Sequence, residues 1–151
     1  MIDWPLAELI PHAADMILID QVLSFDEEQI QTTVTVRPDG LFSQPDGSLP
    51  AWLGVELMAQ SVAAYAGCQA RLKGEPIQLG FLLGSRKYEC NVGHFPAGSE
   101  LTIQATRSLQ DDSGMGVFEC NLTGPDIQAF ARLSVYCPPN AAQYLTEGAL
   151  A

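Results

Sequence analysis

The sequence predicts an α+β domain in which one antiparallel β-sheet wraps around a single long central helix. Three observations predict it. The run from Ala51 to about Leu72 is helix-forming and apolar or small on nearly every side. Segments before and after it alternate polar with apolar residues at period two, the pattern of strands with one buried face. The order of elements is a short helix, two strands, the long helix and four strands, and the simplest way to bury such a helix is to fold the sheet around it.

Residues Pro5 to Ile10 can open as a short helix, with proline placed where its missing N–H costs nothing. Met16 to Leu23 is a β-rich apolar run, and Gln29 to Val36 alternates, with Asp26-Glu27-Glu28 as the turn between them. Residues 37–49 are rich in Gly, Pro, Asp and Ser and read as a loop that ends before Pro50, a good first-turn residue. The long helix then runs to Lys73-Gly74, a typical stop. Its apolar and small positions cover roughly 200° or more, wider than the stripe of a surface helix, so protein must surround it on most sides. Glu56, Gln60 and Gln69 interrupt the run and its flanks lack anchoring charges, which argues against a membrane span. Four strands follow, over Ile77–Glu89, Leu101–Leu109, Met115–Thr123 and Ile127–Cys137. The turn-rich Asp111-Asp112-Ser113-Gly114 and Thr123-Gly124-Pro125-Asp126 join them as antiparallel hairpins. Residues 1–140 read as one domain and 141–151 as a flexible tail. This arrangement is the hotdog fold.

With 151 residues and 47% hydrophobic content, the chain can bury a core without staples or metals. Seven Lys plus Arg against 18 Asp plus Glu give a net charge of −11, which repels phosphate backbones and anionic lipid surfaces. No nucleic acid and no membrane partner is expected. Asp3 stands where a signal peptide would carry positive charge, and no apolar h-region follows, so the expected compartment is the cytoplasm. Cys68, Cys90, Cys120 and Cys137 form no C-x-x-C pair and no histidine lies at ligand spacing from them, so they read as reduced, buried small hydrophobes and no metal is expected.

Two stretches carry a family resemblance. Pro11-His12-Ala13-Ala14-Asp15-Met16-Ile17-Leu18-Ile19-Asp20 is similar to the P-H-R-Y-P-F-L-L-V-D opening of the bacterial 3-hydroxyacyl-acyl-carrier-protein dehydratases. Pro50-Ala51-Trp52-Leu53-Gly54-Val55-Glu56-Leu57-Met58-Ala59-Gln60 is similar, without a gap, to their P-G-V-L-I-I-E-A-M-A-Q helix. The whole pattern resembles most closely the dehydratase-like hotdog proteins of aryl polyene pigment clusters. The resemblance implies a lyase acting on a 3-hydroxyacyl chain carried on the phosphopantetheine of an acyl carrier protein, with no other cofactor. It also implies a homodimer or a heterodimer with another hotdog subunit.

Dehydration of such a thioester needs a base for the α-proton, an acid for the departing hydroxyl and donors for charge on the thioester oxygen. The resemblance maps the helix carboxylate onto Glu56 and the first-turn amides onto Ala51 and Trp52. The plainer reading of Glu56 is a solvated carboxylate on the helix's one wet edge, with Gln60 beside it four residues on. The family's histidine, 14 residues before the helix carboxylate, falls on Phe42. A tetrapeptide like the one that holds it occurs instead as Gly93-His94-Phe95-Pro96, read as a loop before the next strand. His12 is a candidate base, or else a cap or a satisfied polar group. Tyr65 and Tyr88 read as core or tunnel-wall aromatics. Arg86 and Lys87 are the preferred carrier-protein docking site, against a solvated strand face. The incomplete catalytic set leaves two further readings open: a partner subunit completed by a second chain, and a thioesterase, which needs a carboxylate and an activated water.

Overall fold

The computed structural model describes residues 3–10, 16–76, 81–110 and 113–136. His12, Cys137 and the expected tail lie outside them. A six-stranded antiparallel sheet runs in the order β1-β2-β6-β7-β8-β4, and β3 pairs with β5 in a separate two-stranded sheet. The strands are β1 Gln21–Phe25, β2 Gln29–Thr35, β3 Leu49–Pro50, β4 Phe81–Cys90, β5 His94–Phe95, β6 Glu100–Gln110, β7 Met115–Gly124 and β8 Ile127–Tyr136. The helix α1 spans Gly54–Leu72 and is entered through a 3-10 turn at Ala51–Leu53.

Period-two alternation places one face of the sheet on α1. Ile30, Thr32 and Val34 of β2, Leu101, Ile103 and Ala105 of β6, Phe118, Cys120 and Leu122 of β7, and Ile127, Ala129, Ala131 and Leu133 of β8 are all buried. Inside this curve α1 buries Leu57, Met58, Gln60, Ser61, Val62, Ala64, Tyr65, Gly67, Cys68 and Ala70. The helix is therefore enclosed on most sides, as its composition predicts. Thr32 and Ser61 exchange a buried hydroxyl–hydroxyl bond of 2.7 Å between sheet and helix, and the Tyr65 ring meets Phe118 edge-on at 5.4 Å.

The flank of α1 away from the sheet is covered by the N-terminal segment. Leu6–Glu8 form a 3-10 turn, shorter than the helix expected over Pro5–Ile10. Arg71 lies 4.7 Å over the Trp4 ring and bonds Glu8 at 2.8 Å, while Leu9 and Ile10 are buried. Gly67 is required here, because a Cβ would stand 2.0 Å from the Leu9 carbonyl oxygen. The first strand starts later than the apolar run suggests, at Gln21 rather than Met16. Met16–Ile19 instead lie against α1, held by a side chain rather than by a strand ladder. Among the described residues no helix is long and apolar enough to cross a membrane.

Candidate active site

The entry to α1 is built by the small sheet that the sequence does not announce. Leu49 pairs with Phe95 and Pro50 with His94, and the Ala51 N–H donates to the Gly93 carbonyl at 3.1 Å. Phe95 is fully buried and pins this junction. His94 is thus not a loop residue remote from the helix. It is exposed, on a two-residue strand directly beside the first turn of the helix entry. Local sequence could not show this, since a two-residue pairing leaves no periodic signal.

The expectation of free first-turn amides needs correcting at Ala51, whose N–H is taken by Gly93. The Trp52 N–H follows in the same turn, and the residue is 66% exposed at the mouth of the helix. The Ala51 carbonyl, in the same peptide unit as that N–H, accepts from the Tyr88 hydroxyl and from the Gly54 N–H. Tyr88 is aimed there by an irregularity of β4 between Arg86 and Glu89, where Lys87 adopts a φ of 58°. Burial pushes the Tyr88 hydroxyl well above the usual phenol range, so it stays a donor at any physiological pH. Only glycine fits at position 54, because a Cβ would lie 2.2 Å from the Tyr88 oxygen. Tyr88 thereby does more than line a wall: it fixes the first turn.

Glu56 stands in the first turn of α1 and is partly buried. Gln60, one turn on, donates to its Oε1 at 3.0 Å. The expectation of a wet helix edge fails at Gln60, which is 0% exposed. Its Oε1 accepts the Leu18 N–H at 2.8 Å and the Ile19 N–H at 3.4 Å, and its Nε2 also donates to the Met16 carbonyl at 2.7 Å. One amide thus joins the helix carboxylate to the segment that follows residue 15. Phe42, in the place of the family's histidine, packs its ring against the hydrophobic core and brings no ionisable group.

Arg86 and Lys87 are exposed on β4, an edge strand of the sheet among the described residues. Arg86 is in register with Arg132 of β8, which bonds Glu119 of β7 at 2.8 Å. Leu82 and Leu83 on the same strand are 44% and 55% exposed.

Fold, helix and carboxylate together define a hotdog protein of the dehydratase type. Residues 4–146 match the ApeP-like family, described as ApeP dehydratase, and the chain belongs to that family. Among solved structures it is similar to the dehydratase heterocomplex ApeI:P from Xenorhabdus doucetiae, with 34% identity, a TM-score of 0.84, and coverage of 95% of this chain and 97% of that one. More distant likenesses show the fold alone. One is the PaaI protein of the E. coli phenylacetic acid degradation operon, with 19% identity, a TM-score of 0.59, and 78% and 82% of the two chains covered. Another is smu.793 from Streptococcus mutans bound to acetyl CoA, with 15% identity, a TM-score of 0.58, and 79% and 87% covered. No curated protein sequence matches the chain.

Proposed function

We propose that this chain is one subunit of a two-chain 3-hydroxyacyl-acyl-carrier-protein dehydratase of aryl polyene biosynthesis, working in the cytoplasm. The observation that carries the reading is Glu56, a partly buried carboxylate held by Gln60 in the first turn of the enclosed helix of a dehydratase-family fold. In the reaction a base takes the α-proton, the Cα–Cβ double bond forms as the C–O bond breaks, and the hydroxyl leaves as water with a proton from the acid. Glu56 is the acid, and the Trp52 N–H is the donor to the thioester oxygen. Acyl chain and phosphopantetheine arrive on a carrier protein, for which Arg86 and Lys87 offer the docking charge.

The base is where a second chain enters. Phe42 cannot move a proton, and the similar Xenorhabdus protein is solved in the dehydratase heterocomplex ApeI:P. A second hotdog subunit that carries the histidine would complete the site, and β4 is one of the two edge strands of the sheet among the described residues. His12 remains the candidate base within this chain, which would allow a homodimer to work alone.

The test is product analysis on 3-hydroxyacyl-carrier protein, for the chain alone and mixed with a histidine-bearing hotdog subunit. Water loss only in the mixture is expected. Water loss by the isolated chain would assign the base to this chain, and release of free acid would replace the dehydratase reading with a thioesterase.

A further inference from the structure

Strand β4 gains one residue where it passes the helix entry. Arg86 is in register with Arg132 and Glu89 with Phe130, the two residues that flank buried Ala131 on β8, so three steps along β4 answer two along β8. Lys87 lies in this irregularity at a φ of 58°, a conformation that residues other than glycine rarely adopt. Regular alternation from Arg86 would turn Tyr88 to the outer face. The extra residue turns it inward instead, and its hydroxyl donates to the Ala51 carbonyl. We propose that Tyr88 is a positioning residue for the dehydration: by holding the Ala51 carbonyl it aims and polarises the Trp52 N–H, the donor to the thioester oxygen.

The Ala51 carbonyl and the Trp52 N–H belong to one planar trans unit, so they point in opposite directions, and fixing the carbonyl fixes the line of the N–H. That carbonyl accepts from the Tyr88 hydroxyl and from the Gly54 N–H, while the Ala51 N–H donates to the Gly93 carbonyl at 3.1 Å. Of the two bonds to the carbonyl, only the one from Tyr88 comes from outside the helix. Each of them draws electron density from the nitrogen of the unit and makes its N–H a stronger donor. Burial keeps the phenol protonated, so the bond persists across the physiological pH range. A donor of this kind acts as charge develops on the thioester oxygen, and a weaker or misaimed one slows the chemical step rather than binding. The inference rests on reading the Trp52 N–H as that donor.

Tyr88→Phe is the informative change, because it keeps the ring and leaves the Ala51 carbonyl its bond from Gly54. In the active assembly, kcat on 3-hydroxyacyl-carrier protein is expected to fall by about 5-fold or more with KM within about twofold, a fraction of the loss that follows outright removal of an oxyanion donor. The backbone amide nitrogen of Trp52 reports the cause, since its resonance moves downfield when the carbonyl of its own peptide unit accepts a hydrogen bond. It should move upfield in Tyr88→Phe, and downfield when difluorotyrosine, a stronger donor of nearly the same shape, is placed at position 88. Butyryl-pantetheine, a thioester with no hydroxyl to lose, tests the reading beneath: it should shift the Trp52 amide proton in the native assembly. With that shift present, native kcat or an unmoved Trp52 nitrogen in Tyr88→Phe would overturn the role of Tyr88 alone. No shift, at concentrations of butyryl-pantetheine that inhibit turnover competitively, would overturn the donor reading itself. If Tyr88→Phe does not assemble, the difluorotyrosine protein decides, and an unmoved Trp52 nitrogen there overturns the proposal.

Discussion

Tyr88 and Gly54 meet at the first turn of the central helix, and what each position tolerates follows from the other. In Gly54→Ala the new Cβ would sit 2.2 Å from the Tyr88 oxygen and 3.1 Å from Cζ, so the ring must withdraw and leave the Ala51 carbonyl. A cost of about 1–3 kcal/mol is expected, the usual range for forcing an extra methyl into a packed site. Adding Tyr88→Phe to that background should recover part of it, since the worst clash involves the hydroxyl, and urea unfolding of the two single variants and the double variant measures the coupling. Strictly additive losses would show that the two groups do not touch. At this scale the sequence was partly legible. Glu56 was found through its motif, but nothing local distinguished Gln60 from a wetted edge residue, because its partners Met16, Leu18 and Ile19 stand more than 40 positions away.

Among the elements, alternation announced β2, β6, β7 and β8, whose buried and outward residues follow the pleat. It failed where something other than a ladder satisfies the backbone. Met16–Ile19 have the composition of a strand, yet the Gln60 amide takes the Leu18 and Ile19 N–H groups, and the strand begins only at Gln21. The pairing of β3 with β5 was silent for the opposite reason, being too short to carry a period. The buried thiols between helix and sheet give a pH dependence. Burial pushes Cys68 up to about 11 and Cys120 up to about 12, from ordinary values of 9.0. Unfolded thiols ionise near pH 9 while the folded ones resist, so this contribution to stability is complete below pH 9 and lost as pH rises through about 11 to 12. Denaturant midpoints taken from pH 8 to 11 should fall, and less steeply in Cys68→Ala with Cys120→Ala; an identical slope would remove the thiols from the account. Strand β4, an edge strand of the sheet among the described residues, carries exposed Leu82 and Leu83, a surface suited to a second chain. Replacing both by lysine should reduce pairing with the second subunit, read as a lower mass in light scattering at unchanged thermal stability. An undiminished paired mass would place the interface elsewhere.

For the molecule as a whole, the fold could be read from the order of elements and the circumference of one helix, because enclosing such a helix leaves few arrangements. The site was legible only as far as one chain carries it. On the proposed reading, Phe42 packed against the core where the family has its histidine, and a similar protein solved as a heterocomplex, together point to chemistry divided between two chains. On that reading this chain's proposed share is the acid, and the account stands or falls on it. The most direct measurement is the single-turnover rate of water loss from 3-hydroxyacyl-carrier protein in the active assembly, with Glu56 or with Glu56→Gln. Shape and most hydrogen bonding survive that change while the ionisable proton is lost, so the rate should drop by about 100-fold or more with the assembly intact. An unchanged rate would mean that Glu56 does not supply the proton.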